Sequence, residues 1–195
     1  MKIVRHAALI ACSVLSLQAA EDPLQRFHRS YRGLSAVSFS FRDKGGHSGH
    51  ILAKRGGAYR ITLGDRSVVS DGRTVWNATA STKTVVINDY KPQSTDVSIE
   101  RVFFDVMSVY RSSIARQLST GIVVRLEAPN PQAQIANIST VEISCTPAMA
   151  VTNVRITSSG STSDYSISKF KSNPPTMQKS FQYVVPKGWQ TVDIR

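Results

Sequence analysis

The stretch "SVVSDGRTVWNATASTKTVVIND", Ser67–Asp89, decides the fold class. Its apolar runs, rich in valine, sit on either side of short polar turns, and β-branched and aromatic residues favour the pleated, half-buried surface of a strand. The Asp-Gly step at Asp71–Gly72 and the polar "ASTK" at Ala80–Lys83 are turn chemistry between strands. The unit reads strand, turn, strand, with almost no reactive side chains in it.

The same unit recurs along the chain. Before it come "VSFSF" (Val37–Phe41), "GHILAKR" (Gly49–Arg55) and "AYRITL" (Ala58–Leu63), and after it "GIVVRLEA", "STVEISC", "VTNVRIT", "DYSISKF" and "FQYVVP". That makes about ten or eleven strands. Two segments break the pattern. "EDPLQRFHRSYRGL" spaces Leu24, Phe27, Tyr31 and Leu34 at helical intervals behind Asp22 as N-cap and Pro23 at the first helical position. From Ser98 to Ser119, Ile99, Val102, Phe103, Val106, Met107, Val109, Tyr110, Ile114 and Leu118 fit a period of 3.6, which predicts a helix broken near Ser112. So many strands cannot lie in one flat sheet without curling. The expected fold is mainly β: an unclosed, strongly curved antiparallel β-barrel with an α-helical lid across its concave face.

At 195 residues the chain fits a leader followed by one domain. Lys2, Arg5 and His6 form a basic start, Ala7–Leu17 an apolar core and "QAA" (Gln18–Ala20) a small-residue cleavage site. The apolar core is far shorter than the ~20 residues that span a bilayer. Residues 1–20 are expected to be a signal peptide cleaved after Ala19 or Ala20, leaving one domain over residues 21–195. "LIAC" (Leu9–Cys12) has the look of a lipobox, but few apolar residues precede Cys12 and the apolar run continues past it. Cleavage leaves Cys145 alone, so no intramolecular disulfide is possible, and alternation buries it beside Val141 and Ile143.

Without Lys2 and Arg5 the chain keeps 22 basic residues against 13 acidic ones, a charge near +9. Such a chain is drawn to anionic surfaces, here as a transient contact with a membrane. The basic residues are scattered, with no recognition helix and no basic-aromatic interleaving, which argues against nucleic acid. There is no G-x-S-x-G, H-E-x-x-H, C-x-x-C or glycine-rich phosphate loop, and no cofactor or enzymatic chemistry is expected. The pair in "HSGH", His47 and His50, would point to opposite faces of a strand, and Asp65 and Asp71 sit in turns where Asp serves the local backbone.

The Ser67–Asp89 stretch also resembles the "vsDGktlW" segment of the periplasmic outer-membrane lipoprotein carrier (LolA) family. "SGHILAKRGGAYRI" (Ser48–Ile61) resembles that family's strand pair around a Lys-Arg-Pro motif, and "FQYVVPKGWQTVDI" (Phe181–Ile194) resembles its closing strand. The three matches fall in order and, with the leader and first helix, span nearly the whole chain. The resemblance implies a hydrophobic cavity for lipoprotein acyl chains, an inner-membrane donor complex and an outer-membrane acceptor, a periplasmic location and a monomer. It also implies that Arg55, in the place of the motif's arginine, latches the lid through backbone carbonyls. Gly56 stands where the family has proline, which loosens that turn.

Strand alternation and the helical stripe together predict that Phe39, Phe41, Tyr59, Ile61, Trp76, Phe103, Val106 and Met107 share one apolar, lipid-binding space. The other function class that fits such a half-barrel is a lipid sensor or a structural, regulatory module that binds protein.

Overall fold

The computed structural model describes residues 21–91 and 99–195. The expected leader (1–20) and the first residue of the expected second helix, Ser98, lie outside them. The first helix, α1 (Pro23–Tyr31), starts where the sequence places it: the Asp22 side chain accepts from the Leu24 N–H at 3.2 Å, and Pro23 occupies the first turn. Phe27, Tyr31 and Leu34 are buried.

Six strands follow: β1 (Ala36–Asp43), β2 (Ser48–Lys54), β3 (Ala58–Leu63), β4 (Arg66–Asp71), β5 (Thr74–Thr79) and β6 (Thr84–Asp89). They form an antiparallel meander joined by tight turns. The second half comprises β7 (Arg111–Leu118), β8 (Gly121–Glu127), β9 (Ile138–Cys145), β10 (Val151–Ser158) and β11 (Ser161–Ser172). A last strand, β12 (Gln190–Asp193), pairs parallel with β6. Among the described residues these make one open, curled sheet of twelve strands in the order β12-β6-β5-β4-β3-β2-β1-β11-β10-β9-β8-β7.

Three expectations need correction. The helical segment is shorter than the pattern suggested: it is α-helical at Ile99–Arg101, π-helical at Val102–Val106 and α-helical again at Met107–Val109, and the chain then turns into β7. Tyr110, Ile114 and Leu118 are four apart, and a spacing of four satisfies two strand periods as well as one helical turn. Pairing with β8 decided between them. Second, "FQYVVP" is not a strand. Phe181 closes a short 3₁₀ turn (Gln178–Phe181), and the chain after it crosses the convex face of the sheet. Arg60 fixes that crossing by donating to the carbonyls of Ser180 and Gln182, both at 2.9 Å. Third, the ladder is not wholly antiparallel, because β12 covers the free edge of β6 in parallel.

One core fills the concave side, running from α1 through β1, β2 and β8–β10 to the helical segment. A smaller cluster lies on the convex face under the C-terminal crossing, where Ala78, Val85 and Ile87 pack with Trp76, Tyr183, Val185 and Trp189.

Candidate functional site

Strand register separates what faces the concave side from what does not. Phe39, Ile51, Ile61, Val68, Asn77 and Val86 are successive cross-strand partners from β1 to β6 and share one face. Tyr59, Ser70, Val75 and Asn88 line the same face one step along the strands. Trp76 is out of phase with them. Its partners are Val69 and Ile87, so it points to the convex face and packs in the second cluster, not in the concave space.

The other seven residues expected in one cavity divide in two. Phe39, Phe103 and Val106 are essentially inaccessible and belong to a filled core. Phe39 stacks on Phe170 with ring centroids 5.7 Å apart, and Phe103 contacts both rings at 5.6 and 5.1 Å. Phe41, Tyr59, Ile61 and Met107 are half-buried at the margin of that core. Phe170 escapes a simple reading of alternation because β11 carries a bulge. One residue of β1, Phe39, stands against the Lys169–Phe170 pair, and Lys169 adopts a φ of 54°. The extra residue turns Phe170 inward. Its only signal in the sequence is the frame break in "SISKF".

Among the described residues, the open concave space lies along β3–β6. At one end a cleft of about 550 Å³ has Tyr59, Val75, Asn77 and Asn88 on its floor and Glu100, Arg101 and Phe104 on its wall. Tyr90 stands at its rim over Gly57, where a Cβ would run into the ring, and burial there raises its phenol above its ordinary pKa. At the other end a cleft of about 710 Å³ is lined by Phe41, Ile51, Leu63, Ile99 and Tyr165. Ile61 lines both.

Arg55 holds the first cleft's wall in place. Its Nη1 donates to the Phe104 carbonyl at 3.1 Å and its Nη2 to the Leu34 carbonyl at 3.2 Å, and its guanidinium carbon lies 5.5 Å from the centre of the Phe104 ring. One side chain thus ties the β2–β3 turn to the helical segment and to the chain leaving α1. Phe104 lies within the π-helical turn, where the widened helix disturbs the regular bonding pattern. Gly56 and Gly57 turn the hairpin at φ 95° and 84°, values closed to proline, whose ring fixes φ near −65°.

The residues set aside from chemistry are locally engaged. His47 bonds the Asp43 carboxylate at 2.9 Å, and His50 on the convex face lies 3.1 and 3.3 Å from the hydroxyls of Ser38 and Ser40. Asp71 accepts from the Arg73 and Thr74 N–H groups, each at 2.8 Å, and Asp65 bonds Ser81. Cys145 is buried, and burial pushes its thiol up to about 12.

The family model described as outer membrane lipoprotein carrier protein LolA matches residues 38–184. Among solved structures, an uncharacterized conserved protein from Thermus thermophilus aligns with a TM-score of 0.52 at 13% identity, over 88% of this chain and 96% of its own, a likeness of fold. An outer membrane lipoprotein-sorting protein domain from Vibrio parahaemolyticus aligns at 0.45 and 7% identity, over 81% and 94%. LprF from Mycobacterium bovis aligns at 0.44 and 10%, over 85% and 95%. No functionally curated protein matches.

Proposed function

Because the chain belongs to the outer membrane lipoprotein carrier (LolA) family, we propose that it is a periplasmic carrier that takes lipoprotein acyl chains, or a related lipid, from an inner-membrane donor to an outer-membrane acceptor. The observation that carries this reading is the half-open concave face of β3–β6 beside a short helical lid that Arg55 ties down. The family is one of carriers, and the work asked of this chain is physical. A triacylated lipoprotein exposes on the order of 48 methylene-sized groups, and at ~0.8 kcal/mol each their transfer into water costs on the order of 40 kcal/mol. A carrier must hide part of that surface and still release it, which calls for a cover with two packings of similar free energy.

Arg55 is suited to set that balance. Its guanidinium offers five donors in a rigid fork, so it can hold two carbonyls on different elements at once. Each such bond stabilises by about 1.5–3 kcal/mol when buried, and less here because Arg55 is largely exposed. The lid is therefore fastened by an amount that lipid entry can offset.

The test is Arg55→Leu. The fold should survive, amide exchange over Ile99–Val109 should quicken roughly tenfold, and the variant should take up lipidated cargo but fail to pass it to acceptor vesicles. Wild-type exchange together with wild-type transfer would remove Arg55 from the mechanism. Native mass spectrometry of periplasmic protein that carried no lipidated species, with no transfer in the vesicle assay, would remove the carrier reading itself.

A further inference from the structure

The open concave space is polar at one end and apolar at the other, and we propose that it holds a single-chain amphiphile of the lysophospholipid kind, with its zwitterionic head at the Tyr90 rim and its tail toward Phe41 and Leu63. This deepens the carrier reading and rests on it.

The two clefts meet at Ile61, which lines both, and the proposal takes them as one trough. It follows β3 from Tyr59 to Leu63, a run of about 13 Å at strand rise. On the β1 side it is closed by the packed rings of Phe39, Phe103 and Phe170, so a tail cannot spread sideways without breaking the core. Clefts of roughly 300–1,000 Å³ suit one ligand of modest size, and the two here measure about 550 and 710 Å³. Three acyl chains of a triacylated cargo would need the core itself to open.

Polarity gives the trough a direction. Asn88 places an amide on the floor toward the Tyr90 end, where burial under hydrocarbon without a hydrogen-bond partner is disfavoured, and Asn77, across from Val68, places a second in the middle. Around that end stand Lys54 and Lys91, Asp89, the buried Glu100 on the wall, and Arg101 paired with Asp105 at 3.1 Å. Charges of both signs suit a head that carries a phosphate and an ammonium group together. At the other end the walls are Phe41, Ile51, Leu63, Ile99 and Tyr165. Among the described residues, the charged groups at that end are Asp43, His47 and Asp65, and Arg66, which stands opposite Leu63 on the concave face. Asp43 bonds His47, Asp65 bonds Ser81, and Arg66 reaches the Asn77 side chain at 3.5 Å.

The test is displacement of a fluorescent fatty-acyl probe from delipidated mature protein. Lysophosphatidylethanolamines of increasing tail length should compete about fourfold better per added methylene, equivalent to ~0.8 kcal/mol, until the trough is full, and then no better. Lysophosphatidylglycerol of the same tail should compete less well. Val68→Trp, which fills the middle of the trough, should weaken competition at least tenfold with an unchanged melting temperature. The tail-length series needs no variant and stands if Val68→Trp misfolds. A triacylated lipopeptide that displaces the probe better than every lysolipid, undisturbed by Val68→Trp, would overturn the single-chain inference and leave the carrier reading standing. Equal competition by both head groups would overturn the head assignment. Probe binding with no competition from lysolipid or lipopeptide would overturn the inference and the carrier reading together.

Discussion

The two halves of the sheet bury opposite faces. In β8–β10 the concave residues Val124, Val141, Ile143 and Val154 are fully buried, while the convex face carries charges in water. There Glu142 meets Arg125 at 2.8 Å and Arg155 at 3.5 Å, and Arg155 meets Asp164 at 2.8 Å. In β4–β6 the convex residues Val69, Ala78 and Val85 are buried under or beside the C-terminal crossing, and the concave residues Val68, Val75, Asn77 and Asn88 are only half-covered, Ser70 alone of the named concave residues being fully buried. A strand needs one well-packed face to be held. By moving that face to the convex side, the C-terminal crossing frees the concave side of the same strands to form a trough. The half with the filled interior carries the stability; the other half carries the opening.

The strongest way to break this comparison is truncation on each side of it. Phe103→Ala should destabilise by about 3–5 kcal/mol, because it empties the centre of a ring cluster that cannot collapse onto the space. Ile61→Ala in the trough should stay near ~1 kcal/mol, because that side chain already borders open volume. Urea unfolding of both variants measures the difference. Equal losses would mean that the trough is ordinary core.

Alkali provides a second probe of the filled half. The Cys145 thiol, ordinarily near 9, is held up to about 12 by burial, and Tyr31 is raised by burial and by the neighbouring Cys145. Both groups are neutral when protonated, so the unfolded chain loses these protons first and the folded state binds more of them as pH rises. Stability from Cys145 should therefore be fully present below about pH 9 and decline at up to ~1.4 kcal/mol per pH unit toward 12. Tyr31 adds to the decline above pH 10. Melting of Cys145→Ala against wild type across that window isolates the thiol's part. A matching slope in the variant would assign the decline to other groups.

The smallest expected effect is on the convex face of the filled half. Glu142→Gln breaks ion pairs whose arginine partners are 42–60% exposed, and such pairs contribute about 0–1 kcal/mol each. A shift in melting temperature of a few degrees, reduced by salt, is expected. A loss as large as that of Phe103→Ala would mean that this network, and not the interior, holds the half together.

Much of this architecture was legible in the residues themselves. Alternation of β-branched residues and the Asp-Gly turn gave β4–β6, Asp22 and Pro23 gave the start of α1, and the order of three motifs gave the family. The misreadings share a cause. Tyr110, Ile114 and Leu118 fit two periods at once, and only the unpaired edge of β8 chose the strand. Alternation in "RTVWNA" separates Trp76 from Val75 and Asn77 but does not say which side is concave, and the chain more than a hundred residues later chose it.

The sequence by itself determined strands β1–β6 and β8–β11, where the first helix begins and which arginine stands at the hairpin tip, because these depend on local propensity and on turn and cap chemistry within a few residues. Only the tertiary structure decided that Phe170 turns inward at a bulge, that Arg55 reaches the carbonyls of Phe104 and Leu34, and that β3–β6 open on their concave side. The reason is that a period of two has no sign. Each strand offers two faces, and the choice between them is made by whatever distant segment comes to lie on one of them.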